Sequence, residues 1–244
     1  MRWTAWDRRT ALSSGALAAL AFVVAFLLAA VTDEGGVAWG DRLVRALPAA
    51  PLCGAVATAL SLRTAERRGE LLALGCAGIA PRRAALPSAL GGALVAVLLP
   101  TVALASTGSS VASFFPRVSV DGPRWDGARF VDVSRSVEIL PSGAIHHADG
   151  LLPSASLSGA GLPAGATLAV ALALALTGFA LPLHMALGFP HRRRRAVLVA
   201  IAGVGATIVL FQLAAQAIVP AFAVVSAPVA LLAIAPFCYR EAQP

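Results

Sequence analysis

Glu70 to Pro87 reads ELLALGCAGIAPRRAALP, a mixed-character stretch wedged between two long apolar runs, with Arg63, Arg67 and Arg68 before it and Arg82 and Arg83 within it. A bilayer core takes about 20 consecutive apolar residues to cross as a helix. The stretch is too polar and too interrupted for that. It is expected to lie at a membrane surface, where a partner on that side can touch it, and the fold turns on what its apolar flanks are.

The composition decides that question. With 58% apolar and 13% charged residues in 244, the chain cannot fold around one core facing water, and it reads as a polytopic membrane protein. The net charge of +7 is not a nucleic-acid footprint. All 19 basic residues are arginines gathered at the ends of apolar runs, which the cytoplasmic bias of basic membrane loops explains.

Apolar runs place spans at about 11–31, 47–62, 84–105 and 166–187. A signal peptide would have a shorter apolar region, of about 7 to 15 residues, so the first run is read as an uncleaved helix. The long apolar run that follows Arg192–Arg195 and extends to about Phe237 is enough for two crossings, with Pro220 as the turning point because proline lacks a backbone donor. With both termini cytoplasmic, thirteen arginines lie inside: three before the first span, five at 63–83, four at 192–195, and Arg240. Six lie outside, with eight of the twelve acids, Asp33 and Glu34 among them.

The outer segment, about 106–165, carries short alternating runs at Val118–Val120, Phe130–Val133 and Val137–Ile139. Asp121-Gly122, Pro141-Ser142-Gly143 and Asp149-Gly150 are turn signals between them. The expected architecture is therefore an α-helical polytopic membrane protein with six transmembrane helices, three (1–105) and three (166–244), around a small β-rich outer insert (106–165). The Ser/Gly/Pro-rich flanks at 106–116 and 153–165 read as linkers.

No phosphate-binding loop, HExxH, CxxC or Gly-x-Ser-x-Gly motif is present, so no catalytic residue, cofactor or metal is expected and ATP hydrolysis would belong to another chain. His146 and His147 are adjacent and would point to opposite faces of a strand. His184 reads as a packed histidine. Cys53, Cys76 and Cys238 read as small apolar fillers, with no disulfide. No charge falls in the middle of a span, which removes the usual mark of an ion-coupled transporter.

Within 63–87, a helix is expected over about 64–80. Leu71, Leu74 and Ala77 or Gly78 recur at helical spacing as an apolar stripe. Pro81 is expected to end that helix and Pro87 to open the next span. Two readings follow: a surface helix joined by a stiff elbow to the third span, which would transmit a push, or an interfacial helix that anchors the loop in lipid.

Gly69-Glu70-Leu71-x-Ala73-Leu74-x-x-x-Gly78-Ile79, with Arg83 five and Pro87 nine residues beyond Gly78, resembles the signature of the LptF/LptG lipopolysaccharide-export permeases. Leu181-Pro182-Leu183, Val219-Pro220-Ala221 and Ala227-Pro228 sit where that family has similar proline motifs. The resemblance implies an inner-membrane permease paired with a second LptF/LptG-like permease and driven by a cytoplasmic ABC ATPase. Its cargo would be lipopolysaccharide or a related glycolipid, passed towards a periplasmic bridge protein. Glu70, Leu71, Ala73, Leu74, Gly78, Ile79 and Arg83 would then form the coupling helix that binds the ATPase, with Glu70 meeting a basic residue there.

The chain also departs from that pattern. The family's periplasmic jellyroll needs about eight strands, more than 106–165 can supply. Gly75 and Ala80 replace an arginine and a serine of the signature. Basic residues that would meet lipid phosphates near the outer end of the first span are missing, and Arg42 and Arg45 stand closest to their place. The alternative is a non-transporting paralogue that scaffolds or regulates such a complex.

Overall fold

The computed structural model describes residues 3–32, 39–107, 111–115, 124–125, 130–132, 137–139, 145–147 and 165–239. Asp33, Glu34, Arg240, Val118, Val120, the three expected turns of the insert and most of the 153–165 linker lie outside them.

Helix α1 (Ala5–Thr32) starts on a capping box. The Thr4 hydroxyl accepts from the Asp7 N–H (3.2 Å), and the Asp7 carboxylate accepts from the Thr4 N–H (3.0 Å), satisfying two otherwise orphan donors. Helices α2 (Trp39–Ala46) and α3 (Ala49–Arg67) meet at a 52° bend. The bend falls at Leu47-Pro48 because proline disfavours helical backbone in the residue before it.

The helix expected over 64–80 is split by two glycines. Thr64 to Arg67 contain no helix breaker, so α3 runs on through them and ends only at Gly69, whose φ of +71° is in the left-handed region. Helix α4 (Glu70–Cys76) follows and closes on Gly78 at φ +77°. There the Ile79 N–H donates to Leu74 O and the Gly78 N–H to Gly75 O, a Schellman cap that glycine adopts at little cost.

Helix α5 (Pro81–Thr107) begins at Pro81 rather than near Ala84. Pro81 suits the first helical position, so Pro87 lies inside the helix instead of opening it. Helices α6 (Ala166–Leu187) and α7 (Arg193–Ala215) follow. After a reversal in which Pro220 is extended, a 3-10 turn (Ala221–Val225) leads into α8 (Ser226–Cys238). Five of these runs are long and apolar enough to cross a membrane, and six if the bent α2–α3 pair is one span. The chain is an α-helical polytopic membrane protein.

The distribution of side-chain size agrees. Alanines fill the interior, among them Ala18, Ala57, Ala96, Ala169 and Ala180, while Leu20, Leu28, Leu98, Ile201 and Ile208 face outward. Small residues inside and large apolar ones outside are what helix packing in lipid requires. Helix α5 is central, packed by α1, α3 and α6. A Cβ on Gly91 would lie 2.0 Å from Ala11 O of α1, and one on Gly92 would lie 2.6 Å from Gly54 O and 2.5 Å from Thr58 Oγ1 of α3. Thr58 and Ser88, both fully buried, exchange hydrogen bonds with each other's carbonyls at 3.3 Å across the same α3–α5 contact.

The 106–116 linker reading is revised at its second half. Val111, Phe114 and Phe115 are buried in the main core, and both phenylalanine rings pack on Phe211 of α7. Their apolar bulk outweighs the Ser/Gly character of their neighbours. Residues 116–164 form a separate compact unit. In it, β1 (Arg124–Trp125), β2 (Phe130–Asp132), β3 (Val137–Ile139) and β4 (Ile145–His147) pair antiparallel in chain order, with Phe130 opposite Ile139 and Glu138 opposite His146. Strands of two or three residues do not by themselves establish a β-rich domain.

Two substitutions test this packing. Gly92→Ala should lower the melting temperature in detergent, at a cost of about 1–3 kcal/mol for overpacking, whereas Gly205→Ala in α7, where a Cβ meets nothing within 4 Å, should raise it through helix propensity. Ala217, which caps α7 at φ +58°, should gain about 1 kcal/mol on substitution by glycine, read as a higher melting temperature.

Candidate functional site

The segment from Glu70 to Arg83 is held to the rest of the bundle at both ends by charge. Arg83 donates from Nη1 and Nη2 to the two oxygens of Asp7 at 3.1 and 2.9 Å. Asp7 is 4% exposed, and its carboxylate also closes the α1 cap. One acid thus joins the starts of α1 and α5. Removing the guanidinium would strand a buried charge, a loss on the order of 3 kcal/mol.

Glu70 is the first residue of α4 and accepts from Arg9 Nη2 at 3.1 Å, with Arg68 Nη1 at 4.0 Å. The Arg9 side chain is 61% exposed and that of Glu70 26%. An exposed pair of this kind contributes at most about 1 kcal/mol. The two clamps are therefore unequal: the first is structural, and the second can be exchanged for another cation at small cost.

Of the expected apolar stripe, Leu71 and Leu74 face inward and are half-buried, whereas Ala77 and Gly78 are exposed. Leu71 packs on the cluster of Leu62, Ala85, Ala89, Ala186 and Phe189. Leu74 and Ile79, which join across the Schellman cap, line a small cavity of about 130 Å³ with Trp6, Asp7 and Arg83. What α4 presents outward is Leu72, 75% exposed, with Ala73, Cys76 and Ala77, followed by Gly78. Helical periodicity reveals that an apolar face exists but not which body it meets. Two partners of this segment, Asp7 and Arg9, were not among the sequence candidates. The signal for Asp7 was the Thr4-x-x-Asp7 spacing just before an apolar run; nothing in the sequence singles out Arg9.

Around the same end of the bundle, Arg193 Nη2 pairs with both oxygens of Glu66 at 2.5 and 2.6 Å, tying α7 to α3, and its guanidinium lies over the Phe189 ring. Arg192 donates to Cys238 O at the end of α8 (3.0 Å). His184 is fully buried; its Nε2 is 2.9 Å from Leu231 O and its Nδ1 3.0 Å from the Tyr239 hydroxyl. A carbonyl only accepts, so Nε2 carries the proton and Nδ1 accepts from tyrosine. Burial pushes the Tyr239 phenol up to about 12, which keeps it a donor. The result is a neutral clasp between α6 and the end of α8.

Arg42 and Arg45 lie on α2, away from this cluster. The Arg42 guanidinium stacks over Trp39 (5.1 Å to the ring centroid) and reaches Ala30 O at 3.5 Å, while its Nε is buried without a partner among the described residues. Arg45 closes the last turn of α2. The structure thus places Leu74, Ile79 and Arg83 around one cavity, Leu71 on the α3–α5–α6 cluster and Glu70 on Arg9, leaves Ala73 and Gly78 at the surface, and keeps the α2 arginines apart from them.

No family model, curated protein or solved structure matches this chain. The reading of the segment therefore stands on its own geometry and on the motif.

The inequality of the two clamps can be measured. Arg83→Ala should destabilise the folded chain by about 3 kcal/mol, and the Asp7→Asn/Arg83→Ala double variant by less than the sum of the singles. Glu70→Gln should cost less than about 1 kcal/mol. Denaturation in detergent reads all four.

Proposed function

We propose that this protein is the permease-type subunit of an ABC exporter that moves lipopolysaccharide or a related glycolipid out of the inner membrane, with both termini cytoplasmic. A separate ATP-hydrolysing subunit would dock on α4, and a second LptF/LptG-like permease would complete the membrane channel. One observation carries the reading: a seven-residue surface helix, bearing an exchangeable acid, leads directly into α5 at the point where Arg83 ties α5 to α1 through Asp7. In that arrangement the ATPase supplies a cation that replaces Arg9 on Glu70, and Leu72, Ala73 and Gly78 provide the outward contact. Leu71, Leu74 and Ile79 hold α4 against the bundle and Arg83 ties α5 to α1, so that displacement of α4 would move α1 and α5. The arginine-rich end of the bundle supports the cytoplasmic assignment. On the opposite side, Arg42 and Arg45 would meet lipid phosphates, and the 116–164 unit would be a small β-type periplasmic domain handing cargo to a bridge protein.

A second reading, a paralogue that scaffolds or regulates such a complex without passing lipid, is favoured by the fact that Glu70 is already paired within its own chain.

Affinity purification from native membranes in mild detergent tests both. An ATP-hydrolysing subunit should co-elute with the wild type and be lost from Glu70→Arg and Leu72→Asp, with membrane insertion unchanged. Lipid-dependent ATP turnover that needs this chain supports export, and binding without a change in turnover supports the scaffold. Absence of any such subunit from the wild-type sample would reject both.

A further inference from the structure

A second feature lies on the other side of the same end of the bundle. Helices α3, α6 and α7 leave an open groove of about 440 Å³ between them, lined by Val56 and Leu60, Leu181 and Met185, and Val197 and Ile201. The lining offers almost no polar surface, and the groove opens on the lipid-facing side of helices that cross the bilayer.

Charge enters at one end only. The groove face of α3 (Leu52, Val56, Ala59, Leu60) continues one turn on, at helical spacing, to Arg63 and then Arg67, both exposed. The groove face of α7, read backwards from Val197, arrives at Arg194 and Arg193. The Glu66–Arg193 pair bridges α3 and α7 there, using one acid and one guanidinium. Arg63, Arg67 and Arg194 have no ion pair among the described residues. Beside them, Pro190 to Arg195 line an open polar concavity.

An apolar trough ending in guanidinium groups complements an amphiphile with an anionic head. We propose that this groove holds an acyl chain of an anionic phospholipid from the leaflet at the arginine-rich end, with the phosphate between Arg63 on α3 and Arg194 on α7. The proposal rests on the membrane fold and not on the export reading. The groove and the Arg63–Arg194 rim involve neither α4 nor Glu70, so either reading stands if the other falls. Guanidinium groups recognise phosphate through paired N–H donors, and arginines at an anionic surface each add to binding.

Native mass spectrometry of the purified full chain, titrated with phosphatidylglycerol and with phosphatidylcholine, tests it. The wild type should hold phosphatidylglycerol about tenfold more tightly. Arg63→Gln/Arg194→Gln should bring the two lipids level, and Val56→Trp, which fills the trough from a half-exposed position, should weaken both. Ala59→Phe is the second filling variant should Val56→Trp fail to fold. Equal wild-type retention of the two lipids, or phosphatidylglycerol binding untouched by both the charge and the filling variants, would overturn the proposal. So would a lipid-free dimer that Val56→Trp dissociates, because the groove would then belong to a helix of a second copy.

Discussion

Everything in this fold depends on how closely α5 can approach its neighbours. Lipid chains are as apolar as leucine, so helices in a bilayer gain little by hiding apolar surface from one another and must be held by close packing and interhelical hydrogen bonds. Gly91 and Gly92 turn adjacent faces of α5 to α1 and to α3 at distances that exclude a methyl group. On a third side, a Cβ on Gly178 of α6 would fall 2.7 Å from Ala96 O. That carbonyl would ordinarily accept from residue 100, which is a proline with no N–H to give. The glycine lets α6 cover the carbonyl that the proline has freed, and the alanine-rich interior follows from the same spacing.

Close packing of α5 against α1 is also what makes the Arg83–Asp7 pair possible. With the two helices in near contact at Gly91 and Ala11, their starts fall side by side, and groups 76 residues apart in sequence meet at bonding distance. Asp7 then serves two structures at once, as acceptor in the α1 cap and as the counter-ion of α5. Helix α4 hangs between these partners. Leu71 sits on α3, α5 and α6 side chains, and Leu74 turns to Trp6 and Asp7 of α1 and to Arg83 of α5. An amphipathic helix that merely lies in the interface is the other reading of α4. Such an anchor would turn its apolar stripe to lipid, whereas Leu71 and Leu74 turn theirs to protein.

The membrane spans were legible because their signal is long and redundant: about twenty apolar residues ending in arginines survive errors of several positions. The turns between them were less so. Proline marks either end of a helix: at Pro81 its fixed φ starts one, and Pro87 is absorbed in the interior of α5. Glycine decides more, since the positive φ values of Gly69 and Gly78 set the length of α4. Phe114 and Phe115 were hidden in a stretch whose average character is that of a linker, since composition averages away the two residues that pack. That a short helix with an apolar face lies here is legible in the sequence; the direction of that face is not. Facing is a tertiary property: the stripe of α4 has the same spacing whether it meets an ATPase, a bilayer or Phe189.

The difference between the two ion pairs gives the segment its logic. A partly buried pair such as Arg83–Asp7 resists exchange, since removing the guanidinium leaves the buried Asp7 carboxylate without its counter-ion. An exposed pair such as Arg9–Glu70 is already solvated, so its free energy changes little when one arginine replaces another. A signal arriving from outside the chain has to enter through a contact that is cheap to remake and leave through one that is not. Glu70 and Leu72, on α4, are on the cheap side, and Arg83 and Asp7, at the starts of α5 and α1, are on the other. Reversing the order, with the buried pair outermost, would give a segment that binds firmly and transmits nothing.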